Sequence, residues 1–311
     1  MPGPASIQVP DALTASLVDC LGETGRGWAA RLPALAAELM ERWRLRPAGP
    51  PAHGVLGLVL PVLRADGTPG ALKLQPVDEE TVGEPMALRA WGGRGAVRLL
   101  AHDPATGSML LERLDPDRSL LAVPDDLAAL RVLAELLAGL TRQQAPSGMR
   151  HLADIADAML AQAPAALAAL VDPGDRRLVA DCAAALREVR HDPGDRLLHW
   201  DLHYGNVLAP AGSGGRAPWL AIDPKPLAGD PGFELLPALH NRWADLAATG
   251  DVRRALRRRF DLMTDILALD RARATSWTLA RVLQNALWDV EDGETVVAPT
   301  QRAVAEALLT R

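Results

Sequence analysis

Between two apolar pairs, Leu197-Leu198 and Val207-Leu208, the chain runs His199-Trp200-Asp201-Leu202-His203-Tyr204-Gly205-Asn206. A second aspartate, Asp223, follows the apolar run Trp219-Leu220-Ala221-Ile222. Few folds have use for polar residues so arranged between core-bound flanks. The apolar pairs anchor both ends of a short loop, and Gly205 lets the backbone turn tightly before Asn206. The D-x-x-x-x-N spacing matches the loop that, in phosphoryl transfer, sets a carboxylate beside an acceptor hydroxyl. The Asn and a later Asp then hold Mg²⁺ against the phosphates of ATP. Asp201 takes the first role in this reading, and Asn206 and Asp223 take the second. The bland alternative is an Asx-rich turn whose polar groups satisfy one another.

Lysine usage sharpens the reading. Of 33 Lys and Arg residues only Lys73 and Lys225 are lysine. Where arginine has displaced nearly every lysine, the survivors are expected where a compact ammonium is needed. Lys73 lies in Ala71-Leu72-Lys73-Leu74, where strand alternation turns Leu72 and Leu74 to one face and Lys73 to the other. It is expected to meet the α- and β-phosphates, held by a carboxylate on the next helix. Glu84 is the choice for that carboxylate, with Glu80 as rival because Pro85 could distort the helix. For Lys73 the plain alternative is an exposed charge on an edge strand. Lys225 is expected beside phosphate or acceptor, or else in a surface ion pair.

The pattern along the chain predicts two regions. A helix over 11–46 is followed by two hairpins, with turns at Ala65–Thr68 and Pro104–Gly107. Between them a helix is expected over 76–91, flawed at Pro85. Past Asp115-Pro116 the strands mostly stop. Helices are expected over 125–142, 151–170, 176–189 and through much of 233–309, with a turn at 212–215. The expectation is an α+β, bilobal fold. Residues 1–113 form a β-rich, nucleotide-clamping N-lobe with helices, and 114–311 form a mainly helical C-lobe with the catalytic loop and acceptor site.

Composition excludes some classes. At 49% apolar and 23% charged residues the 311-residue chain reads as globular. A net charge of −6 argues against a nucleic-acid partner and favours a cationic ligand. Two distant cysteines, Cys20 and Cys182, give neither a disulfide framework nor a thiolate zinc site. The start Met1-Pro2-Gly3-Pro4 lacks a secretory pattern, and no run of about 20 apolar residues occurs. A cytoplasmic, non-membrane protein is expected.

With these residues in place, the chain resembles the aminoglycoside and hydroxyurea phosphotransferases, and within them the streptomycin 6-kinase branch. Three stretches carry the resemblance: His199 to Leu208; Ala221-Ile222-Asp223-Pro224-Lys225-Pro226-Leu227-Ala228-Gly229-Asp230-Pro231; and Glu84 to Leu100, with Leu88-Arg89-Ala90-Trp91. It spans roughly residues 50 to 295. It implies a protein-kinase-like fold and ATP- and Mg²⁺-dependent phosphorylation of a small alcohol, most specifically streptomycin at O6, conferring resistance. It also implies that the backbone of Met109 to Leu114, with Leu111, Glu112 and Leu114 as candidates, meets adenine.

The chain departs from protein kinases in having Asp223-Pro224-Lys225 where they have Asp-Phe-Gly. No activation-loop signature follows, so a protein substrate is not expected. Only Gly54 and Gly57 are available to cover the phosphates. For the acceptor site the candidates are His203, Trp288, Asp289, Glu291 and Asp292. The last three are carboxylates at a predicted helix end that would suit guanidinium or ammonium groups or simply face solvent. Three other readings remain: the same chemistry on hydroxyurea or another small alcohol, a catalytically silent nucleotide-binding module, and a metallohydrolase built on His199-x-Asp201-x-His203. The arginines of 253–259 are read as a solvated helix face with Asp251, Asp261 and Asp265.

Overall fold

The computed structural model describes residues 7–212 and 215–310. The N-terminal tetrapeptide lies outside them, as do Ser213 and Gly214 of the expected turn. Backbone proximity divides the chain into two compact units. One comprises Met1–Gly93, Val97–Asp115 and Pro210–Arg216; the other comprises Arg94–Ala96, Pro116–Ala209 and Ala217–Arg311.

The first unit holds α1 (Asp11–Arg42), β1 (Arg46–Pro47), β2 (Ala52–His53), β3 (Leu58–Leu63), β4 (Pro69–Leu74), α2 (Glu84–Trp91), β5 (Leu99–His102) and β6 (Met109–Glu112). Its antiparallel sheet runs β1-β3-β4-β6-β5, with β2 also on β3. Both predicted hairpins are present, β3 with β4 and β5 with β6. Leu13, Leu17, Leu32, Ala36 and Leu39 of α1 pack on Leu58, Leu60, Val62, Leu72, Leu74 and Leu110 of the sheet. α1 ends at Arg42 and kinks at Gly22, where φ is 59° and the helical path breaks.

The helix expected over 76–91 exists only from Glu84. Upstream, the Asp78 carboxylate accepts from the amides of Glu80 (2.9 Å) and Thr81 (2.8 Å) and from the Thr81 hydroxyl (2.9 Å). This local turn competes with helix. Pro85 then falls in the first turn of α2, where a missing N–H costs nothing, so it is no flaw.

The second unit contains most of β7 (Leu114–Ser119) and of β9 (Val207–Pro210), with α3 (Asp126–Leu140), α4 (Leu152–Ala169), α5 (Pro173–Val189), β8 (Arg196–Leu198), β10 (Leu220–Ala221) and β11 (Leu227–Gly229). It continues with α6 (Leu235–His240), α7 (Trp243–Ala248), α8 (Val252–Leu267), α9 (Arg271–Glu291) and α10 (Pro299–Leu309). Asp125, Asp172, Asp251 and Asp270 cap α3, α5, α8 and α9 with their side chains, each cap contributing about 1 kcal/mol. α9 is buried over most of its circumference, including Trp277, Leu279, Ala280, Val282, Leu283 and Leu287. It is the helix around which this unit packs.

α4 is long and apolar enough by composition to cross a membrane. It turns Leu152, Ala156, Met159, Ala163 and Ala166 inward, the stripe of a helix packed on one side. The arginine-rich face of α8 is solvated only in part. Arg259 is 1% exposed, pairs with Asp126 at 2.6 Å and donates to the carbonyls of Leu239 (2.9 Å) and Asn241 (2.7 Å). It thereby satisfies the open end of α6.

Candidate active site

In the first unit Lys73 sits on β4, between β3 and β6, paired across to Val59 and Met109. It is therefore no edge charge. Lys73 Nζ is 2.8 Å from both carboxylate oxygens of Glu84, and Gln75 Nε2 donates to Glu84 Oε2 at 2.7 Å. Lys73 is 7% exposed and Glu84 0%. Glu84, not Glu80, is the partner. Burying such a pair is costly unless each member is hydrogen-bonded, as these are.

The adenine candidates lie at the end of β6 and just beyond it. Leu111 lies mid-sheet, facing Ala71 on one side and Leu99 on the other. The Glu112 amide donates to Arg98 O at 3.0 Å, so that group is already engaged. The Glu112 carboxylate accepts from Arg98 N (2.8 Å) and Arg216 (2.6 Å). Leu114 lies two residues past the end of β6 and opens β7, a strand of the β10-β9-β7 sheet.

In the second unit β8 delivers the loop and β9 leaves it. Trp200 (φ 66°) and Asp223 (φ 59°), one in the loop and one in the segment facing it, take left-handed backbone conformations. Each costs roughly 1–3 kcal/mol unless its surroundings hold it. For Trp200 the hold is visible. Its amide donates to both oxygens of Glu234 at 3.0 Å, and the His199 amide also donates to Glu234. The Trp200 ring lies under two guanidinium groups, Arg150 at 4.8 Å and Arg281 at 4.7 Å. A buried carboxylate thus fixes the residue just before Asp201. Burial pushes the Glu234 carboxyl up to about 7, against the two amides that favour its charged form.

His199 is fully buried, its Nε2 is 3.0 Å from Ile222 O, and burial pushes its imidazole down to about 4. Lys225 N donates to His199 O at 3.0 Å. These bonds tie the Asp201 loop to the segment carrying Asp223 and Lys225. Asn206 Nδ2 donates to Asp201 O at 2.9 Å, closing the loop, and Ile222 N donates to Asn206 O at 2.9 Å. Asn206 makes its bond to Asp201 through the side-chain nitrogen, not the oxygen. Because Ala221 pairs with Val207, Asp223 comes beside the Gly205–Asn206 corner. Asn206 and Asp223 offer hard oxygen donors, the chemistry suited to Mg²⁺ completed by phosphate and water. Lys225 Nζ stands 3.8 Å from Asp201 Oδ2. Among the described residues no group of three or more His, Cys, Asp or Glu is placed to hold a metal. His203 Nδ1 accepts from Gly205 N at 3.1 Å, so His199-x-Asp201-x-His203 does not assemble as a zinc site.

Asp201 opens onto a pocket of about 190 Å³ lined also by His203, Leu236, Pro237, His240, Asn241, Arg281 and Asn285. Of the acceptor candidates, His203 lines it. Trp288 packs on Trp200 with ring centroids 6.1 Å apart. Asn285, Trp288 and Asp289 follow one stripe of α9 and Asp292 caps its end, whereas Glu291 lies about 120° away from Asn285 by helical spacing. Burial raises the Asp289 carboxyl, helped by Glu294 and Asp292. Glu234, His240, Asn241, Arg281 and Asn285 escaped the sequence reading. For two of them a signal existed: Glu234 and Arg281 are lone charges within apolar runs.

The chain is similar to known proteins along nearly its whole length. A family model described as "Aminoglycoside/hydroxyurea antibiotic resistance kinase" matches residues 42–293. The chain is 57% identical over 302 residues to the Streptomycin 6-kinase of Streptomyces glaucescens, covering 97% of each. It is 56% identical over 309 residues to the Hydroxyurea phosphotransferase of Kitasatospora aureofaciens, covering 99% of this chain and 87% of that protein. Among solved structures, a choline/ethanolamine kinase family protein from Mesorhizobium loti superposes with a TM-score of 0.56 at 17% identity, covering 89% of this chain and 95% of that one. The fold is therefore protein-kinase-like and α+β, as expected.

Proposed function

The chain belongs to the aminoglycoside/hydroxyurea antibiotic resistance kinase family, and from that premise we propose that it phosphorylates streptomycin at its 6-hydroxyl, using ATP and Mg²⁺, in the cytoplasm. The observation that carries this reading is the 57% identity to a streptomycin 6-kinase over almost the full chain.

The residues take the following parts. Lys73, held by Glu84, grips the nucleotide phosphates, and the backbone at Leu114 meets adenine. Asn206 and Asp223 hold Mg²⁺, which when bound neutralises charge on the phosphates. Asp201 accepts a hydrogen bond from the acceptor hydroxyl and aims that oxygen at the γ-phosphorus. The new O–P bond forms as the bond to the departing ADP oxygen breaks, and Asp201 takes the hydroxyl proton late. Lys225, 3.8 Å from Asp201, lends positive charge where the phosphoryl group passes. Positioning and fixed charge supply most of the acceleration. Trp288, Asp289 and Asp292 meet the acceptor's cationic groups in this reading.

The 56% identity to a hydroxyurea phosphotransferase favours a second reading, with hydroxyurea as acceptor. The full set of Lys73, Asp201, Asn206 and Asp223 speaks against a silent module. The test is incubation with ATP, Mg²⁺ and each acceptor, with the product mapped by NMR. A streptomycin 6-phosphate supports the first reading. Turnover of hydroxyurea alone selects the second. No product from any small alcohol rejects both.

A further inference from the structure

The catalytic loop holds His203 in one orientation. Leu202 and Tyr204, fully buried on either side, fix its backbone, and the Asn206 amide donates to His203 O at 2.9 Å. Its ring lies along Gly205. The Gly205 amide donates to His203 Nδ1 at 3.1 Å. A Cβ at residue 205 would come within 2.9 Å of His203 Cε1, so the ring occupies space that only glycine leaves. A backbone N–H can only donate, so the ring nitrogen facing it carries no proton, and the ring proton sits on Nε2. His203 thereby presents an N–H at the far end of its ring. Among the described residues nothing accepts from Nε2, and that atom is not sealed from solvent.

The same residue lines the pocket onto which Asp201 opens, whereas Asn206, Asp223 and Lys225 do not line it. His203 thus stands on the acceptor side of Asp201, with the residues assigned to metal and phosphate outside the pocket. An ammonium or guanidinium has no lone pair to offer an N–H, so the ligand atom that meets Nε2 is an oxygen. We propose that His203 is an acceptor-binding residue, donating from Nε2–H to an oxygen of the small alcohol whose hydroxyl Asp201 receives. The two side chains then make opposite demands of one ligand: Asp201 needs a group that donates, and His203 needs a group that accepts. The inference rests on the small-alcohol kinase reading and adds to it a substrate contact made by the catalytic loop itself.

Two substitutions separate the two ring nitrogens. Asparagine is a strong capping residue whose oxygen can stand in for Nδ1 at the Gly205 amide, and it is too short to replace Nε2. Glutamine carries an amide nitrogen near the place of Nε2 and gives up the cap. Each is compared with wild type on the acceptor that wild type turns over, streptomycin or hydroxyurea. His203→Asn is expected to keep the wild-type melting temperature and to lower kcat/KM for that acceptor about 3- to 10-fold, the loss of one neutral hydrogen bond. The loss should fall on the acceptor KM, with the ATP KM within about twofold. His203→Gln is expected to melt earlier and yet to recover part of the lost kcat/KM. Activity and stability then run in opposite directions, which a capping role alone would not produce. Wild-type kinetics in His203→Asn, an ATP KM that rises together with the acceptor KM, or activity that follows melting temperature across the variants overturns the inference. So does ¹⁵N NMR of the free protein if it finds the His203 proton on Nδ1. If wild type phosphorylates no small alcohol, the functional reading fails first and takes this assignment with it.

Discussion

Asp201, Lys73 and Glu84 are open to direct test one side chain at a time. Asp201→Ala is expected to lower kcat about 10²- to 10⁴-fold, the usual span for a lost general base. The melting temperature should hardly move, because the side chain is 29% exposed and its ion pair with Lys225 is long. Steady-state kinetics beside a thermal melt decides this, and undiminished turnover would rule out the assigned role. Glu84 behaves differently. Glu84→Ala leaves the Lys73 ammonium buried without its carboxylate, so a loss of about 3–5 kcal/mol in urea unfolding is expected. The double change Lys73→Met with Glu84→Leu removes both charges and should recover part of that stability while turnover stays absent. Recovery of turnover with stability would show that the pair only packs the sheet.

At the scale of elements, the loop between β8 and β9 is held from below by the turn Pro231–Glu234, and that contact titrates. The Glu234 carboxyl has an ordinary value of 4.5 and stands at about 7 in the fold. Its folded value is raised, so the neutral form favours the fold: the contribution is fully present below 4.5 and is lost as pH rises through 7. His240 works the other way. Its value falls from 6.5 to about 4, so its contribution is present above 6.5 and is lost as pH falls toward 4. Unfolding free energy of Glu234→Gln, measured from pH 4.5 to 8, should rise relative to wild type as pH increases; a constant difference would mean that Glu234 does not titrate in this window.

Periodicity alone revealed the hairpins, the long helices and the strands that deliver Asp201 and Asp223, because apolar spacing reports directly on local burial. It failed at 76–91, where one Asp78–Thr81 turn outweighed helical spacing. Glu234 and Arg281 acquire meaning only from what tertiary packing sets against them. A lone charge in an apolar run flags burial without naming its partner.

For the whole molecule, two compact units divide the parts. One carries the Lys73–Glu84 pair, and the other carries Asp201, Asn206, Asp223 and the pocket beside Asp201. If ATP and Mg²⁺ engage both, ligand and fold are linked. A ligand at 100 times its Kd adds about 2.7 kcal/mol to stability, a shift readily seen in a thermal melt. The metal's share can be separated. Asn206 and Asp223 are two protein donors, short of the six or more oxygens a hard cation takes, so tight metal retention without phosphate is not expected. EDTA should therefore abolish turnover and most of the ATP-induced rise in melting temperature, yet leave the melt of the ligand-free protein unchanged. Adding Mg²⁺ back should restore both effects for wild type. In Asp223→Ala, ATP should raise the melting temperature equally with or without Mg²⁺. A ligand-free protein that melts earlier in EDTA would point instead to a structural metal, and Asp223→Ala responding to Mg²⁺ as wild type does would remove Asp223 from the metal site.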